Sequence, residues 1–518
     1  GGILKMGPIA QLRKRSARLT PALVATIALV GTSAVATADA SAAQAMPAGW
    51  PTVKLYAAQL SEKVPVYGKG RTFIDPSIYV EARGSALQFD VKRANYAQPL
   101  TIAQIIKTAG ATHRRQLGSW AIDGWNGLHR FLKVTITDSA GTVIRSRLLT
   151  FCPDSYNPQR ATADSAATSV YPYGCGGFGD PFILGTAWGI ARGWGVDPMQ
   201  SGSGFITAKL QAGKTYTATM TITKRWRAVL RVSAKDATAK VKIEAVPPNQ
   251  CNPCAGAAKG LGAPASGTAS RPNQSAAAMQ QVPAVFNPPA SVLPDLKPLP
   301  SWGIRVQNVR RTGVSRIDFG ATVANLGNGR LDVEAFSKQH SPTMPAYQYF
   351  WRGNHIVGRV PAGTMGFDNK KGHDHWHFEQ FAQYRLLNSD KSLVLRSRKV
   401  GFCIAPTDGV NLLLRHALWQ PQFIGFGGEC GFPGALWVQE QMPVGWGDTY
   451  FQSLAGQSFN ITNLPNGVYY IEIIANPQHV LRETNTSNDI SLRRIRVVGT
   501  PGHRSVLVPA YHGIDREP

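Results

Sequence analysis

Three histidines stand at alternate positions in Gly372-His373-Asp374-His375-Trp376-His377-Phe378-Glu379. On a β-strand, residues i, i+2 and i+4 share a face, so the three imidazoles line one side, and a local bend closes them on a single ion. Asp374 alternates with them and is expected to face away. Neutral imidazole suits copper, zinc, iron or nickel, and the spacing alone does not choose among these. The plainer alternative is a polar strand face with three solvated histidines. Three of the 11 histidines within five residues weigh against it.

Two further residues gain meaning from their surroundings. Lys399 lies in Lys399-Val400-Gly401-Phe402-Cys403, and Tyr450 closes Gly445-Trp446-Gly447-Asp448-Thr449-Tyr450. By itself each has an ordinary reading, a solvated strand lysine and a core or rim tyrosine.

Taken in order, these motifs resemble the lysyl oxidase family. The stretch HDHWHFEQFAQYRLLN, residues 373–388, is similar to that family's copper-binding segment. The Lys399–Cys403 pattern, the Asp448-Thr449-Tyr450 run and the Asn476–Asp489 segment follow as they do in the family. The resemblance covers residues 293–498. It implies copper(II) held by His373, His375 and His377. It also implies a lysine tyrosylquinone made from Lys399 and Tyr450, and an enzyme that oxidises primary amines with dioxygen. In that chemistry the quinone condenses with the amine as carbonyls do in covalent catalysis. An aldehyde, ammonia and hydrogen peroxide are released. The cofactor carries the redox chemistry and the protein positions it. The base that removes the α-proton is unassigned; Asp448 and Glu379 neighbour the implied groups, and each also reads as a structural carboxylate. The chain departs from the animal enzymes in placing Gly372 where they have a cysteine, and in its longer segment between Cys403 and Tyr450. Two other classes stay open: a non-catalytic secreted metal- or envelope-binding protein with this fold, and another histidine-ligated enzyme such as a zinc hydrolase.

The elements that must position these residues are strands. Runs such as Ile317–Ala324, Val468–Ala475 and Lys214–Ile222 alternate apolar and polar residues between Gly, Asn and Pro breaks, the signature of antiparallel sheets. The expected fold is all-β, two tandem β-sandwich-like domains. The halves also repeat each other. RSRLLTFC ends at Cys152 and RSRKVGFC at Cys403; YGCGGFGDP carries Cys175 and GGECGFPG carries Cys430. Gly193-Trp194-Gly195 answers Gly445-Trp446-Gly447, and Phe89 before Asn95 answers Phe319 before Asn325. An internal duplication follows, with bridges Cys152–Cys175 and Cys403–Cys430. The CNPC pair Cys251–Cys254 reads as a local disulfide. Aligning the repeats sets Leu148 against Lys399 and Asp123-Gly-Trp125-Asn-Gly127 against the histidines, so the first copy lacks the implied active groups.

The expected organisation is a signal peptide over 1–45, a degenerate β-domain over 46–246, a Pro/Ala/Gly-rich linker over 247–292, a catalytic domain over 293–500 and a tail over 501–518. The first segment has a basic stretch (Lys5 to Arg18), an apolar run shorter than a membrane span and small-residue cleavage sites, the pattern of export. The chain opens Gly1-Gly2, and Met6 is a candidate start. Six cysteines fit an oxidising compartment. The expected location is therefore extracellular, with no transmembrane anchor after cleavage. The net charge of +25 is uneven: residues 46–291 carry +15 and residues 292–518 carry +6. Anionic envelope polymers or lipid head groups are the expected partners of that field. No nucleic-acid module is visible.

Overall fold

A computed structural model of the chain describes residues 50–68, 72–176, 181–201, 206–251, 282–285, 287–338, 341–369, 375–399, 401–421, 430–511 and 514. The expected signal segment, His373, Asp374, Cys254 and most of the expected linker lie outside the described residues. The fold is all-β, as the alternation predicts; among the described residues one α-helix occurs, Lys224–Leu230.

Three sheets recur with the same strand order in each half. In the first half, one sheet runs Thr52–Ala57, Ile78–Arg83, Trp194–Val196, Gln159–Arg160. Its counterpart runs Leu296–Pro298, Val314–Asn325, Trp446–Tyr450, Asp408–Gly409. A second sheet runs Gly185–Ile190, Leu87–Lys92, Thr101–Lys107, Thr112–Leu117. It is answered by Trp437–Met442, Leu331–Phe336, Thr343–Arg352, His355–Asp368, to which His375–Phe378 adds a fifth strand. The third runs Val143–Phe151, Leu128–Asp138, Thr215–Ile222, Thr238–Val246, and is answered by Leu393–Arg396, Ala382–Leu387, Gly467–Ala475, Ile490–Thr500. The outer edge differs. Ser61–Pro65 pairs parallel to Thr238–Val246, whereas His503–Leu507, from the stretch read as a tail, pairs antiparallel to Ile490–Thr500.

This order shifts one of the repeat matches. Phe319 lies on Val314–Asn325, whose counterpart by position is Ile78–Arg83, whereas Phe89 lies on the next strand, Leu87–Lys92. These strands are buried on both faces over much of their length, and a near-continuous apolar run does not mark which strand of a sheet it is.

Each half has its own apolar core, one built on residues such as Phe89, Phe131 and Trp226, the other on Phe319, Tyr384 and Phe402. Residues 47–518 nevertheless form one unit. Phe182 packs with Leu299, Trp302, Ala324 and Val410. The Leu184 N–H donates to Val410 O at 2.6 Å, and the Leu412 N–H to Gly185 O at 2.7 Å. Tyr171 stacks on Trp419 at 5.4 Å. The segment after Cys403 is thus seated against the first half. Residues 282–285, placed within the expected linker, lie along Arg359.

Candidate metal and crosslink site

The strand His375–Phe378 pairs with the end of the long His355–Asp368 strand, setting Asp368 opposite His375 and Gly366 opposite His377. Alternation then sends both imidazoles to one side, and the strand bends them together. The two Nε2 atoms stand 2.9 Å apart, with the rings nearly perpendicular and 4.6 Å between centroids. That separation is an N–H···N hydrogen bond in one tautomer. It is also close to the spacing of about 2.8 Å between adjacent nitrogens on a square-planar ion with bonds of about 2.0 Å. Behind His377, the Asp368 carboxylate lies 3.8 Å from Nδ1, where an outer carboxylate orients a ligating imidazole. The described histidines therefore fit a copper-type ion. Among the described residues no group of three ligands is assembled; the third implied histidine, His373, is not among them.

The histidine strand is tied to the lysine segment by backbone. The Phe378 N–H donates to Phe402 O at 2.8 Å, and the Phe402 N–H returns to Phe378 O at 3.1 Å. Gly401 makes this approach possible, because a Cβ there would stand 2.7 Å from His377 Cβ. The disulfide Cys403–Cys430 is formed, with Cα atoms 5.7 Å apart, and the Trp376 N–H donates to Cys430 O at 2.7 Å. The other expected bridge, Cys152–Cys175, is formed in the first half with the same Cα separation. Cys251 is disulfide-bonded; its expected partner Cys254 lies outside the described residues.

Lys399 and Tyr450 come together. The lysine Nζ lies 4.3 Å from the centroid of the Tyr450 ring and 4.9 Å from that of Phe402. The tyrosine hydroxyl is clamped by one residue: it accepts the Cys403 N–H at 2.8 Å and donates to Cys403 O at 3.1 Å. Phe402 packs edge-on against the ring at 5.1 Å. Burial, then the neighbouring Asp448, Tyr384 and Glu440, push the phenol well above its ordinary value, against the Cys403 hydrogen bond. Lys399 is set by its own turn. Its N–H donates to Ser397 Oγ, whose hydroxyl donates to Gly456 O. Gly456 has φ +85°, and a Cβ there would meet Lys399 Cβ at 2.8 Å.

The two candidate bases separate. Asp448 is buried on the tyrosine's own strand. Glu379 is exposed and accepts the Thr364 hydroxyl at 2.9 Å. Glu440 is a residue the sequence did not suggest; fully buried, it accepts the Ile404 N–H at 2.9 Å just past the disulfide. Asp368, Gly401 and Gly456 were equally silent in the sequence, since their roles depend on pairing that local spacing does not encode.

Residues 361–503 match the lysyl oxidase family model. This C-terminal region of the chain is a lysyl oxidase domain. Among relatives, it is similar to lysyl oxidase homolog 2 of Gallus gallus, at 30% identity over 24% of the chain and 15% of that protein. It is also similar to lysyl oxidase homolog 4 of Homo sapiens, at 28% identity over 29% of the chain and 19% of that protein. The chain thus spans under a fifth of the length of these relatives. Among the described residues no helix is long and apolar enough to cross a membrane.

Proposed function

We propose that the chain is a secreted, copper-dependent amine oxidase converting primary amines, peptidyl lysine among them, to aldehydes. Amine, dioxygen and water enter; aldehyde, ammonia and hydrogen peroxide leave. The observation that carries this reading is the Lys399 ammonium poised 4.3 Å from the Tyr450 ring, one short backbone step from the convergent His375 and His377 imidazoles.

His373, His375 and His377 would hold copper(II), and Lys399 and Tyr450 would supply lysine tyrosylquinone, whose electrophilic carbonyl takes the amine. The chain's own residues do the positioning. The Asp368 carboxylate, 3.8 Å from Nδ1, faces the His377 ring from behind. Cys403 fixes the Tyr450 oxygen with both its backbone groups. The Gly456 turn aims Lys399 at the ring. Phe402 packs edge-on against the Tyr450 ring and fixes its plane. The first half is read as a copy that has lost these groups; the repeated strand order supports this.

Peptide mapping by mass spectrometry of copper-loaded, aerated protein tests the proposal. A covalent link between the Lys399 and Tyr450 peptides is expected. Bound copper with no link after long aeration sinks it and favours the second reading, a metal-binding protein of the same fold.

A further inference from the structure

In the third sheet of the first half, the outward positions of the three central strands repeat one chemistry, while the flanking strand adds Leu148 opposite Lys133. Along Thr215–Ile222 the buried positions alternate with Thr215, Thr217, Thr219 and Thr221. Register carries the pattern sideways. Thr219 pairs with Thr135 on one side and Lys240 on the other. Thr217 pairs likewise with Thr137 and Lys242, and Thr221 with Lys133 and Thr238. Beyond, Thr135 faces Ser146, their hydroxyls 3.3 Å apart. The outward positions of the three central strands are thus hydroxyls and lysines, joined at one margin by Glu244, which binds Lys242 at 2.9 Å and accepts the Ser61 hydroxyl.

This face runs into a groove of about 580 Å³. Lys133 and Ser146 belong to both, and His129, Arg130 and Arg147 add to its walls. The backbone creates the opening: a register shift between Leu128 and Leu132 interrupts the pairing, and Arg130 sits there at φ +46°.

We propose that this face and groove bind an acidic glycan, a polymer carrying both hydroxyls and repeated carboxylate or sulfate groups. Threonine and serine hydroxyls donate and accept at once, which matches sugar hydroxyls. Lysine and arginine match the oxyanions. Strands about 4.8 Å apart with outward side chains at every second residue present these groups as a flat lattice, suited to an extended chain. Single-stranded nucleic acid is the poorer occupant, because its proteins stack bases on aromatic side chains and none of the outward positions named on the three central strands is aromatic. The equivalent sheet of the second half differs: Arg385, Glu472 and Leu492 face one another there, then Tyr470 and Arg494. The proposal is independent of the oxidase reading.

The test is binding of the full chain to alginate and to heparin by titration calorimetry in low salt. Neutral dextran, oligo(dT) and poly-glutamate serve as comparisons. Binding to at least one acidic glycan is expected, screened by added salt and absent with dextran. The triple variant Arg130→Gln/Lys133→Gln/Lys240→Gln should bind about tenfold more weakly, with an unchanged circular dichroism spectrum. A variant of equal charge loss elsewhere, Lys92→Gln/Lys107→Gln/Lys391→Gln, should stay within about twofold. Three outcomes overturn the proposal: no binding to either glycan, equal weakening by both variants, or equal affinity for oligo(dT) or poly-glutamate. A change in self-association without a change in glycan affinity also overturns it, assigning the face to a second copy of the chain.

Discussion

The two halves of the molecule share three sheet orders and a disulfide at the same place, yet only the second has the histidine, lysine and tyrosine side chains that its family pattern implies. The pairing Leu128 with Phe151 matches the bridge Phe378 with Phe402, so Gly127 occupies the place of His377 and Trp125 that of His375. Leu148 stands for Lys399 and Pro198 for Tyr450. The position is closed as well as changed. Gly127 has φ +129°, and a side chain there would run into the backbone of Phe151. The same sheet orders therefore form with these side chains and without them.

That contrast can be broken or sharpened by experiment. The largest effect is expected from His375→Ala, which should abolish copper retention and amine oxidation, while Trp125→Ala at the equivalent position leaves copper stoichiometry unchanged; equilibrium dialysis with metal analysis decides it. Lys399→Ala should keep copper but form no crosslink, and Leu148→Lys should create none in the first half, since Pro198 offers no ring; a crosslinked peptide from either variant would overturn the assignment. Trp419→Ala, at the seam, should lower stability by about 2–3 kcal/mol, below the cost of a fully buried tryptophan, and split one calorimetric unfolding transition into two. Gly456→Ala should cost about 1–3 kcal/mol through its positive φ and its clash with Lys399, and slow crosslinking measured by quinone absorbance.

The smallest effect concerns pH. In the first half, burial and then Asp75 push Glu62 up to about 8, and the same two causes raise Asp197. Carboxyls raised in the folded state hold protons that the unfolded chain releases, so their stabilisation is complete below about pH 4 and lost as pH rises to about 8. Glu62→Gln should accordingly raise Tm at pH 8 by a few degrees and leave it nearly unchanged at pH 4. An equal shift at both pH values would show that the carboxyl does not titrate in this range.

Much of this was legible in the sequence. Period-2 runs announced the sheets, and the spacing of Cys152, Cys175, Cys403 and Cys430 announced both bridges. The pair Lys399 and Tyr450 was legible only through the family pattern, because they lie 51 positions apart and neither carries a local signal. Asp368 and Glu440 act across strand pairings, and Gly401 and Gly456 act by lacking a side chain where backbone comes close; no local motif records either. The seam between the halves was equally hidden. Deleting residues 46–290 removes the partners of Val410, Leu412 and Trp419, so that truncation strips support from the segment leading to the site instead of leaving an intact domain.

The Cys403–Cys430 bridge has a consequence in time. Cys403 grips the tyrosine hydroxyl, and Cys430 receives the N–H of the residue between the two described histidines. The bridge therefore ties the residue that clamps the tyrosine hydroxyl to the residue that receives a backbone N–H from the histidine strand, a link that is absent while both cysteines are thiols. On the proposed function, closing this bridge precedes the Lys399–Tyr450 crosslink, so protein reduced before copper loading should form that crosslink more slowly.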